Sequence, residues 1–364
     1  MKNTFANTNV EHWFKWIFRR SDHLPAATVY FLSRRNSTSP RLFPLYRYSS
    51  QFRIILFKGS FFPYLDLIHL FILKSFCRIF AFKLSKYNWV AIYDHNAILK
   101  LNANVVLHLD DPEYSTKELE NLRLIEKAQN DKGKTTTLVV TNNYTFEQFN
   151  TRLKQTQIEI LPQGYIPAGL ELNRDRDSRF SIVYSSPYID YRGDKHEEHT
   201  AWSATHLLDF IIPEILNADS EIKIRLIGRI GKNAGKYLAN FPSVQCFGLV
   251  SFEQNSLLLR ESTIGIYPRK FDHKRSVQKI YEYMGAGLPT VAYRLIDTLD
   301  IEKQGWGLLV QSQEEFIAAV LRLKNDTDFL NLIRKRIEDS KQEYSWNSIS
   351  KKYDSLVSNP RMEV

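Results

Sequence analysis

Residues 276–292 of the 364-residue chain read SVQKIYEYMGAGLPTVA. Ser276 is a residue type that favours the N-cap of a helix, and the ten residues after it are compatible with a helix. Gly287 and Pro289 then supply a helix stop before the β-type run Thr290–Tyr293. The stretch therefore predicts a helix that leads directly into a strand, which is a unit of an α/β fold.

The start of this predicted helix is unusually basic. Lys274, Arg275 and Lys279 lie where the helix macrodipole is already positive, so each opposes it by about 0.3–1 kcal/mol. This pattern favours a bound anion, because free N–H groups, the dipole and a lysine together make a phosphate cradle. Glu282, one turn after Lys279, can accept hydrogen bonds from a pair of sugar hydroxyls. The alternative interpretation is an exposed basic turn followed by a solvated glutamate.

The same stretch resembles the donor-binding signature of GT-B glycosyltransferases similar to family 4, the glycosyl transferases group 1. In that signature, a Ser-x-x-Lys-x-x-Glu-Tyr-x-Ala-x-Gly-x-Pro type of run binds the nucleotide sugar. The resemblance implies an α/β chain with the GT-B fold, in which two Rossmann-like doubly wound domains face each other across a cleft. It assigns donor binding to Ser276, Val277, Lys279 and Glu282. Lys274 departs from the pattern, because many relatives carry a glutamate at that place.

The length of the chain allows two α/β domains, each with its own core. The resemblance covers roughly residues 88–356. The expected organisation is an acceptor-side Rossmann-like domain with a divergent start (1–168), a linker (169–179), a nucleotide-sugar-binding domain (180–340) and a C-terminal helix that crosses back to the first domain (341–364). Two cysteines offer neither a disulfide framework nor metal-ligand spacing.

Strands and helices alternate from Trp89 onward, which predicts parallel sheets. The predicted strands include Val90–Tyr93, Val105–Leu109, Thr137–Thr141, Glu159–Leu161, Phe180–Ser185, Ile222–Ile227, Val244–Gly248 and Ile264–Tyr267. A helix is predicted over His199–Leu216. The apolar run Tyr64–Leu84 is also predicted to be a helix packed on a sheet. Four charged residues within this run argue against a membrane span, at about 2.5–3.5 kcal/mol each near the bilayer centre. Shallow insertion into a membrane surface is the alternative.

Candidate catalytic residues follow the predicted strand Val105–Leu109. In enzymes of the resembling family, the corresponding loop reaches the acceptor and the transferred sugar. A carboxylate there can deprotonate an acceptor hydroxyl, and a histidine can bond the donor sugar. The candidates are Asp110, Asp111 and His108. Alternatively, the Asp-Asp-Pro-Glu run simply caps the helix that follows, a role that suits Asp111 better than Asp110.

Further cations are candidates for the donor diphosphate. The resemblance places Arg192 and Lys195 in a phosphate-binding turn and Arg229 in a glycine-containing turn after a strand. Arg269 follows the strand Ile264–Tyr267, where ligands of parallel sheets bind. The alternative interpretation is that each of these cations is an ordinary solvated turn residue.

The first hundred residues hold 15 Lys and Arg, only 4 Asp and Glu, and 22 of the 48 aromatic residues, although the whole chain carries a net charge of +9. Basic and aromatic residues together are typical of a surface that rests on anionic lipid headgroups. Single-stranded nucleic acid is the competing partner, and a basic surface without a partner is a third possibility. We expect no nucleic acid, because no recognition motif is present.

These observations predict a metal-independent glycosyltransferase of the hexosyl type. It would move a sugar from a nucleoside diphosphate sugar, which is a substrate and not a cofactor, to a lipid-linked or envelope/exopolysaccharide glycan. The expected location is cytoplasmic, peripheral on the inner face of the plasma membrane. The alternatives are a nucleotide-sugar epimerase of similar fold and a non-catalytic GT-B-like binding protein.

Overall fold

The computed structural model describes residues 31–33, 56–58, 79–84, 99, 104–109, 116–166, 179–191, 204–272, 274 and 276–358. The chain divides into two compact units. The first unit comprises Met1–Pro162 together with Trp346–Val364, and the second comprises Gln163–Ser345.

The first unit contains a parallel sheet of six strands in the order β2-β1-β3-β4-β5-β6. The strands are β1 (Phe31–Ser33), β2 (Leu56–Lys58), β3 (Ile79–Leu84), β4 (Asn104–Leu109), β5 (Thr136–Val140) and β6 (Gln157–Ile160). Its described helices are α1 (Thr116–Asn130), α2 (Asn143–Asn150) and, from the C-terminal segment, Trp346–Ser358. Helix α2 begins after Asn142, whose side-chain oxygen accepts the N–H of Thr145 at 2.9 Å.

The helix predicted over Tyr64–Leu84 is wrong in its last part. Ile79–Leu84 forms β3, which pairs in register with all six residues of β4. A short apolar run between two strands cannot be distinguished from a buried helix by periodicity alone, and here the neighbouring strands decide its conformation. The remainder of that run and the predicted strand Val90–Tyr93 lie outside the described residues. The predicted strand Val105–Leu109 is confirmed within β4.

The second unit contains another parallel sheet of six strands, in the order β12-β11-β10-β7-β8-β9. Its strands are β7 (Ser181–Ile189), β8 (Lys223–Ile230), β9 (Val244–Gly248), β10 (Ile264–Tyr267), β11 (Thr290–Tyr293) and β12 (Gly307–Val310). Its helices are α3 (Ile212–Ala218), α4 (Lys232–Leu238), α5 (Phe252–Arg260), α6 (Gln278–Gly285), α7 (Leu299–Gln304), α8 (Gln313–Asn325) and α9 (Thr327–Lys341). The strand order confirms the predicted α/β class with doubly wound parallel sheets.

The core of the second unit holds α6 firmly against its neighbours. The side chains of Ile280, Tyr281, Tyr283 and Met284 on this helix are buried. The ring of Tyr281 contacts the rings of Trp306 and Tyr344, with centroids 5.8 Å away in both cases. Aromatic contacts of this kind stabilise a core beyond the area that they bury. The position of α6 on the sheet is therefore fixed by its apolar face.

The helix predicted from His199 differs from the structure at its start. Ala204 is not helical, and Leu207–Ile211 forms a π-helical turn that leads into α3. Single π-helical turns recur at functional sites, and they change which residues of a helix share a face. Periodicity at 3.6 residues per turn does not reveal such a turn.

Candidate nucleoside diphosphate site

Helix α6 connects the carboxyl end of β10 to β11, so its first turn lies where parallel α/β sheets bind ligands. The N-cap residue is Val277, and no side chain caps the helix. The prediction that Ser276 is the N-cap is wrong. Ser276 is buried, and its side chain hydrogen-bonds to Tyr281 instead of the helix backbone. The first turn of α6 consequently presents its positive dipole end without a capping side chain.

Two cations lie close together at this helix start. The ammonium nitrogen of Lys279 is 5.1 Å from the centre of the Tyr184 ring and 5.8 Å from that of the Tyr267 ring. The guanidinium carbon of Arg269 is 5.5 Å from the same Tyr267 ring. Burial lowers the pKa of Lys279, and the charge of Arg269 lowers it further, while Glu282 acts in the opposite direction. The two cations repel each other, and an anion bound beside them would relieve both the repulsion and the loss of hydration.

Glu282 follows Lys279 by one turn on α6. Burial raises the pKa of its carboxyl to about 7, while the charge of Lys279 and a hydrogen bond from the Gln278 side chain oppose this rise. The Gln278 side chain also donates to the carbonyl of Gly164 at 2.7 Å. Glu282 is therefore balanced between its two protonation states near neutral pH, and a ligand that donates hydrogen bonds to it would favour the carboxylate.

A small pocket opens beside Glu282. It is lined by α5 and α6 and by the chain around Tyr165, and its polar lining includes Asn255, Ser256, Arg260 and Glu282. Within the described part of the chain, the buried Oδ1 of Asn255 has no hydrogen-bond partner. An unsatisfied buried acceptor costs about 1–3 kcal/mol, so a ligand that donates to Asn255 would gain this energy back.

Asp190 organises the neighbouring strand ends. It lies directly after β7, and its carboxylate accepts the N–H of Tyr191 at 2.9 Å, the N–H of Ala234 at 3.0 Å and the hydroxyl of Tyr188 at 2.9 Å. A Cβ at Gly231 would lie 1.8 Å from Asp190 Oδ2, so this carboxylate requires a glycine there. Asp190 therefore joins the end of β7 to the start of α4.

The structure brings together Arg269, Lys279 and Glu282. The other two candidates of this stretch lie at the same helix start, Val277 as the N-cap residue and Ser276 buried before it. Arg229 is exposed near the end of β8, which is separated from β10 by β7. Arg192, Lys195, Asp110 and Asp111 lie outside the described residues, and His108 is described only through its backbone in β4.

The sequence predictions missed Tyr184, Tyr267, Asn255 and Asp190. A signal existed for Tyr267, because it lies at the carboxyl end of the predicted strand Ile264–Tyr267. The strand predicted over Phe180–Ser185 is too short to place Asp190 at a strand end, since β7 continues to Ile189. No sequence signal indicated that the rings of Tyr184 and Tyr267 lie beneath a lysine.

Two other features concern the site and its surroundings. Within the described ranges, no group of three or more His, Cys, Asp and Glu residues could hold a metal ion. A search of the same ranges finds no helix with both the length and the apolar character to cross a membrane.

Residues 198–326 match the sequence model of the family described as glycosyl transferases group 1. The matched segment includes α6 together with Arg269, Lys279 and Glu282. A comparison with curated proteins found no significant match.

Solved structures with a similar fold include the pneumococcal O-GlcNAc transferase GtfA in complex with UDP and GlcNAc, with a TM-score of 0.61 and 14% identity. The match covers 82% of this chain and 60% of GtfA, so this chain spans less than two thirds of that protein. Anabaena HepE in complex with UDP and glucose has a TM-score of 0.62 and 13% identity, over 92% of this chain and 100% of HepE. The Escherichia coli trehalose-6-phosphate structure bound with UDP-2-fluoro glucose has a TM-score of 0.62 and 10% identity, over 93% and 100%. These structures are GT-B glycosyltransferases, and this chain has their fold.

Proposed function

We propose that the protein is a glycosyltransferase that transfers a hexosyl group from a nucleoside diphosphate sugar bound by the second unit. The observation that carries the proposal is the pair of neighbouring cations, Lys279 and Arg269, at the uncapped start of α6. A diphosphate would bring negative charge to these two cations and to the positive end of the helix. The similarity to GT-B structures with bound UDP and to the group 1 family supports the same assignment.

The proposed reaction breaks the bond between the anomeric carbon and the diphosphate oxygen and forms a bond from that carbon to an acceptor oxygen. Negative charge develops on the departing diphosphate, where Lys279, Arg269 and the positive end of α6 stabilise it. Because these protein groups carry the opposing charge, we propose that no metal is required. Glu282 is positioned to accept hydrogen bonds from the ribose hydroxyls, and the pocket beside Asn255 takes the remainder of the nucleoside.

The remaining donor and catalytic assignments are proposals from the sequence. Arg192, Lys195 and Arg229 would add contacts to the diphosphate. Asp110 or Asp111 would take the proton of the acceptor hydroxyl, or His108 would bond the transferred sugar.

We further propose that the acceptor is a lipid-linked or envelope glycan and that the protein acts from the cytoplasm, peripheral on the inner face of the plasma membrane. The support is the basic and aromatic composition of the first hundred residues. Co-sedimentation with anionic vesicles at low salt tests the membrane proposal. Binding that is lost when the anionic lipid is replaced by phosphatidylcholine supports it, and a failure to pellet with either vesicle refutes it.

The reaction class is tested by following UDP-glucose during incubation with the protein and a membrane glycan extract. A glycosyltransferase releases UDP only when the acceptor fraction is present, and Lys279→Met should abolish this release while Lys335→Met keeps it. Lys335 is a suitable control because it is an exposed lysine on α9. Conversion of the sugar without release of UDP would identify an epimerase and contradict the proposal.

A further inference from the structure

Lys274, which lies three residues before the N-cap residue of α6, has an unusual backbone conformation. Its φ is 56°, and among the described residues it is the one residue other than glycine with a positive φ. An L-residue with a Cβ adopts this left-handed conformation only at a cost, so the conformation persists only where neighbouring groups hold it. The contacts of Lys274 therefore show what fixes the chain that enters α6.

Two carboxyl groups hold the backbone of Lys274. Its N–H donates to Oδ1 of Asp272 at 2.7 Å and to Oδ1 of Asp297 at 2.8 Å. The side chains of the two aspartates also hydrogen-bond to each other. Burial acts to raise the pKa of Asp272, but the hydrogen bonds from Asp297 and from backbone N–H groups outweigh burial and lower this pKa. Asp272 is therefore a carboxylate at neutral pH, which is the form that accepts these hydrogen bonds most strongly.

The same carboxyl groups tie this part of the chain to the end of β11. Oδ2 of Asp272 accepts the N–H of Ile296 at 2.7 Å, and Asp297 is buried within the 3₁₀ turn Ile296–Thr298. The hydroxyl of Thr298 donates to the carbonyl of Tyr293, the last residue of β11, at 2.7 Å. The position of Lys274 is therefore set by the neighbouring strand and not only by its own loop.

A second anchor holds the chain two residues further on. The side chain of Ser276 hydrogen-bonds to Tyr281, whose hydroxyl donates to Oδ2 of Asp300 on α7. Lys274 and Ser276 are thus both held through carboxyl groups of residues that follow β11. Both anchors precede the uncapped first turn of α6, so they fix the direction in which this turn begins.

We propose that Asp272 and Asp297 are positioning residues of the donor site, which hold Lys274 in its left-handed conformation so that the first turn of α6 is already directed at the diphosphate. The inference rests on the proposed function, because it takes the start of α6 as the diphosphate site. Neither carboxyl group is assigned a contact with the donor. N–H groups that are oriented before binding require no reorganisation when the anion binds. Without the two carboxyl groups, Lys274 would relax, and donor binding would have to order this part of the chain.

A glycine in place of Lys274 separates a positioning role from a purely structural one. Glycine adopts the left-handed conformation without the cost of a Cβ, so the Lys274→Gly variant should depend much less on the two carboxyl groups. Lys274→Ala removes the same charged side chain but keeps the Cβ, and it is the matched control. The effect of Asp272→Asn on UDP binding is compared in these two backgrounds, so the loss of the lysine charge is the same in both.

The test measures the dissociation constant of UDP by isothermal titration calorimetry on the full chain. Asp272→Asn should raise this constant about tenfold in the wild type and in Lys274→Ala, because an amide cannot accept from both Lys274 and Ile296. In Lys274→Gly, the same change should raise the constant about threefold or less. Asp219→Asn should keep the wild-type constant, because Asp219 accepts the N–H of Glu221 at 3.1 Å in the turn after α3, away from α6.

The outcomes separate the two proposals. An equal rise in Lys274→Ala and Lys274→Gly, or no rise in the wild type, overturns the positioning role of Asp272 and leaves the proposed function in place. If Asp272→Asn does not fold, Asp297→Ala, which removes the other acceptor of the same N–H, is measured in the same backgrounds and decided by the same comparison. A wild type that fails to bind UDP overturns both proposals.

Discussion

Replacement of Lys279 by methionine should change protein stability and ligand binding in opposite directions. Methionine keeps most of the length of the lysine side chain and removes its charge. In the unliganded protein, Lys279 carries the cost of burial and the repulsion of Arg269, which together lower its pKa. Removing a charge held at such a cost should leave the free energy of unfolding unchanged or raise it. A purely structural lysine would give the opposite result.

Binding of a diphosphate should weaken sharply in the same variant. A hydrogen bond to a charged group contributes about 1.5–3 kcal/mol, so the dissociation constant for UDP should rise by roughly 10- to 150-fold. At 100 times the wild-type dissociation constant, UDP adds about 2.7 kcal/mol to the wild type. If the constant rises about 30-fold, the same concentration adds only about 0.9 kcal/mol.

Thermal unfolding with and without UDP measures both effects. For a unit of this size, 1 kcal/mol corresponds to about 2–4 °C in Tm. UDP should therefore raise the wild-type Tm by about 5–10 °C and that of Lys279→Met by about 2–4 °C. Lys335→Met, which removes an exposed lysine from α9, should respond as the wild type does. A variant that loses several degrees without ligand but keeps the full UDP shift would refute the reasoning.

Three further predictions concern residues around this helix. The dissociation constant of UDP-glucose should fall about tenfold between pH 6 and pH 8, because Glu282, with a pKa near 7, must lose its proton to accept two hydroxyls. The raised pKa of Glu282 also affects folding: the protonated carboxyl contributes stability at low pH, and this contribution is lost as the pH rises from about 4.5 through 7. Glu282→Gln should remove the pH dependence of both binding and stability. An unchanged binding profile in this variant would assign the pH dependence to another group. Gly285→Ala should lower the free energy of unfolding by about 1–3 kcal/mol in urea titrations, because its Cβ would lie 2.3 Å from the Tyr165 ring. Gly235→Ala on α4 is the matched control, since its Cβ meets a side chain only at 3.7 Å, and equal stabilities for the two variants would contradict the close contact. Asp190→Asn should lower the free energy of unfolding by about 2–3 kcal/mol in the same titrations, because an amide cannot accept both N–H groups and the hydroxyl as the carboxylate does. A decrease below about 0.5 kcal/mol would count against this role of Asp190.

Most of the second sheet could be predicted from the sequence because its strands are apolar runs bounded by turn residues. The strands at Val244–Gly248, Ile264–Tyr267 and Thr290–Tyr293 agree with the prediction to the residue. Gly287 ends the preceding helix with a positive φ of 74°, as its residue type indicated. The local sequence is therefore sufficient to predict these three strands and the end of this helix.

Tertiary contacts decided the places where prediction failed. Ile79–Leu84 is a strand because it lies between β1 and β4, and no residue within it encodes those partners. Ser276 has the side chain of an N-cap, but Tyr281 takes its hydroxyl, so the helix begins later, after Val277. Both failures arise from contacts that the local sequence does not reveal. The strands that pair with Ile79–Leu84 are distant in the sequence, and the hydrogen-bond partner of Ser276 lies in the next helical turn.

The candidate site could likewise be predicted only in part. Lys279 and Glu282 could be identified because their spacing on a helix is fixed by its geometry. The aromatic rings beneath Lys279 belong to β7 and β10, and their position under the lysine depends on how these two strands pair in space. These contacts could be identified only from the structure.

A crystal structure of the protein with UDP tests the central claim most directly. The account predicts that the diphosphate lies within about 3 Å of the Lys279 ammonium group and of backbone N–H groups in the first turn of α6, with the ribose hydroxyls on Glu282. UDP bound with its diphosphate elsewhere, and with Lys279 making no contact to it, would contradict the account.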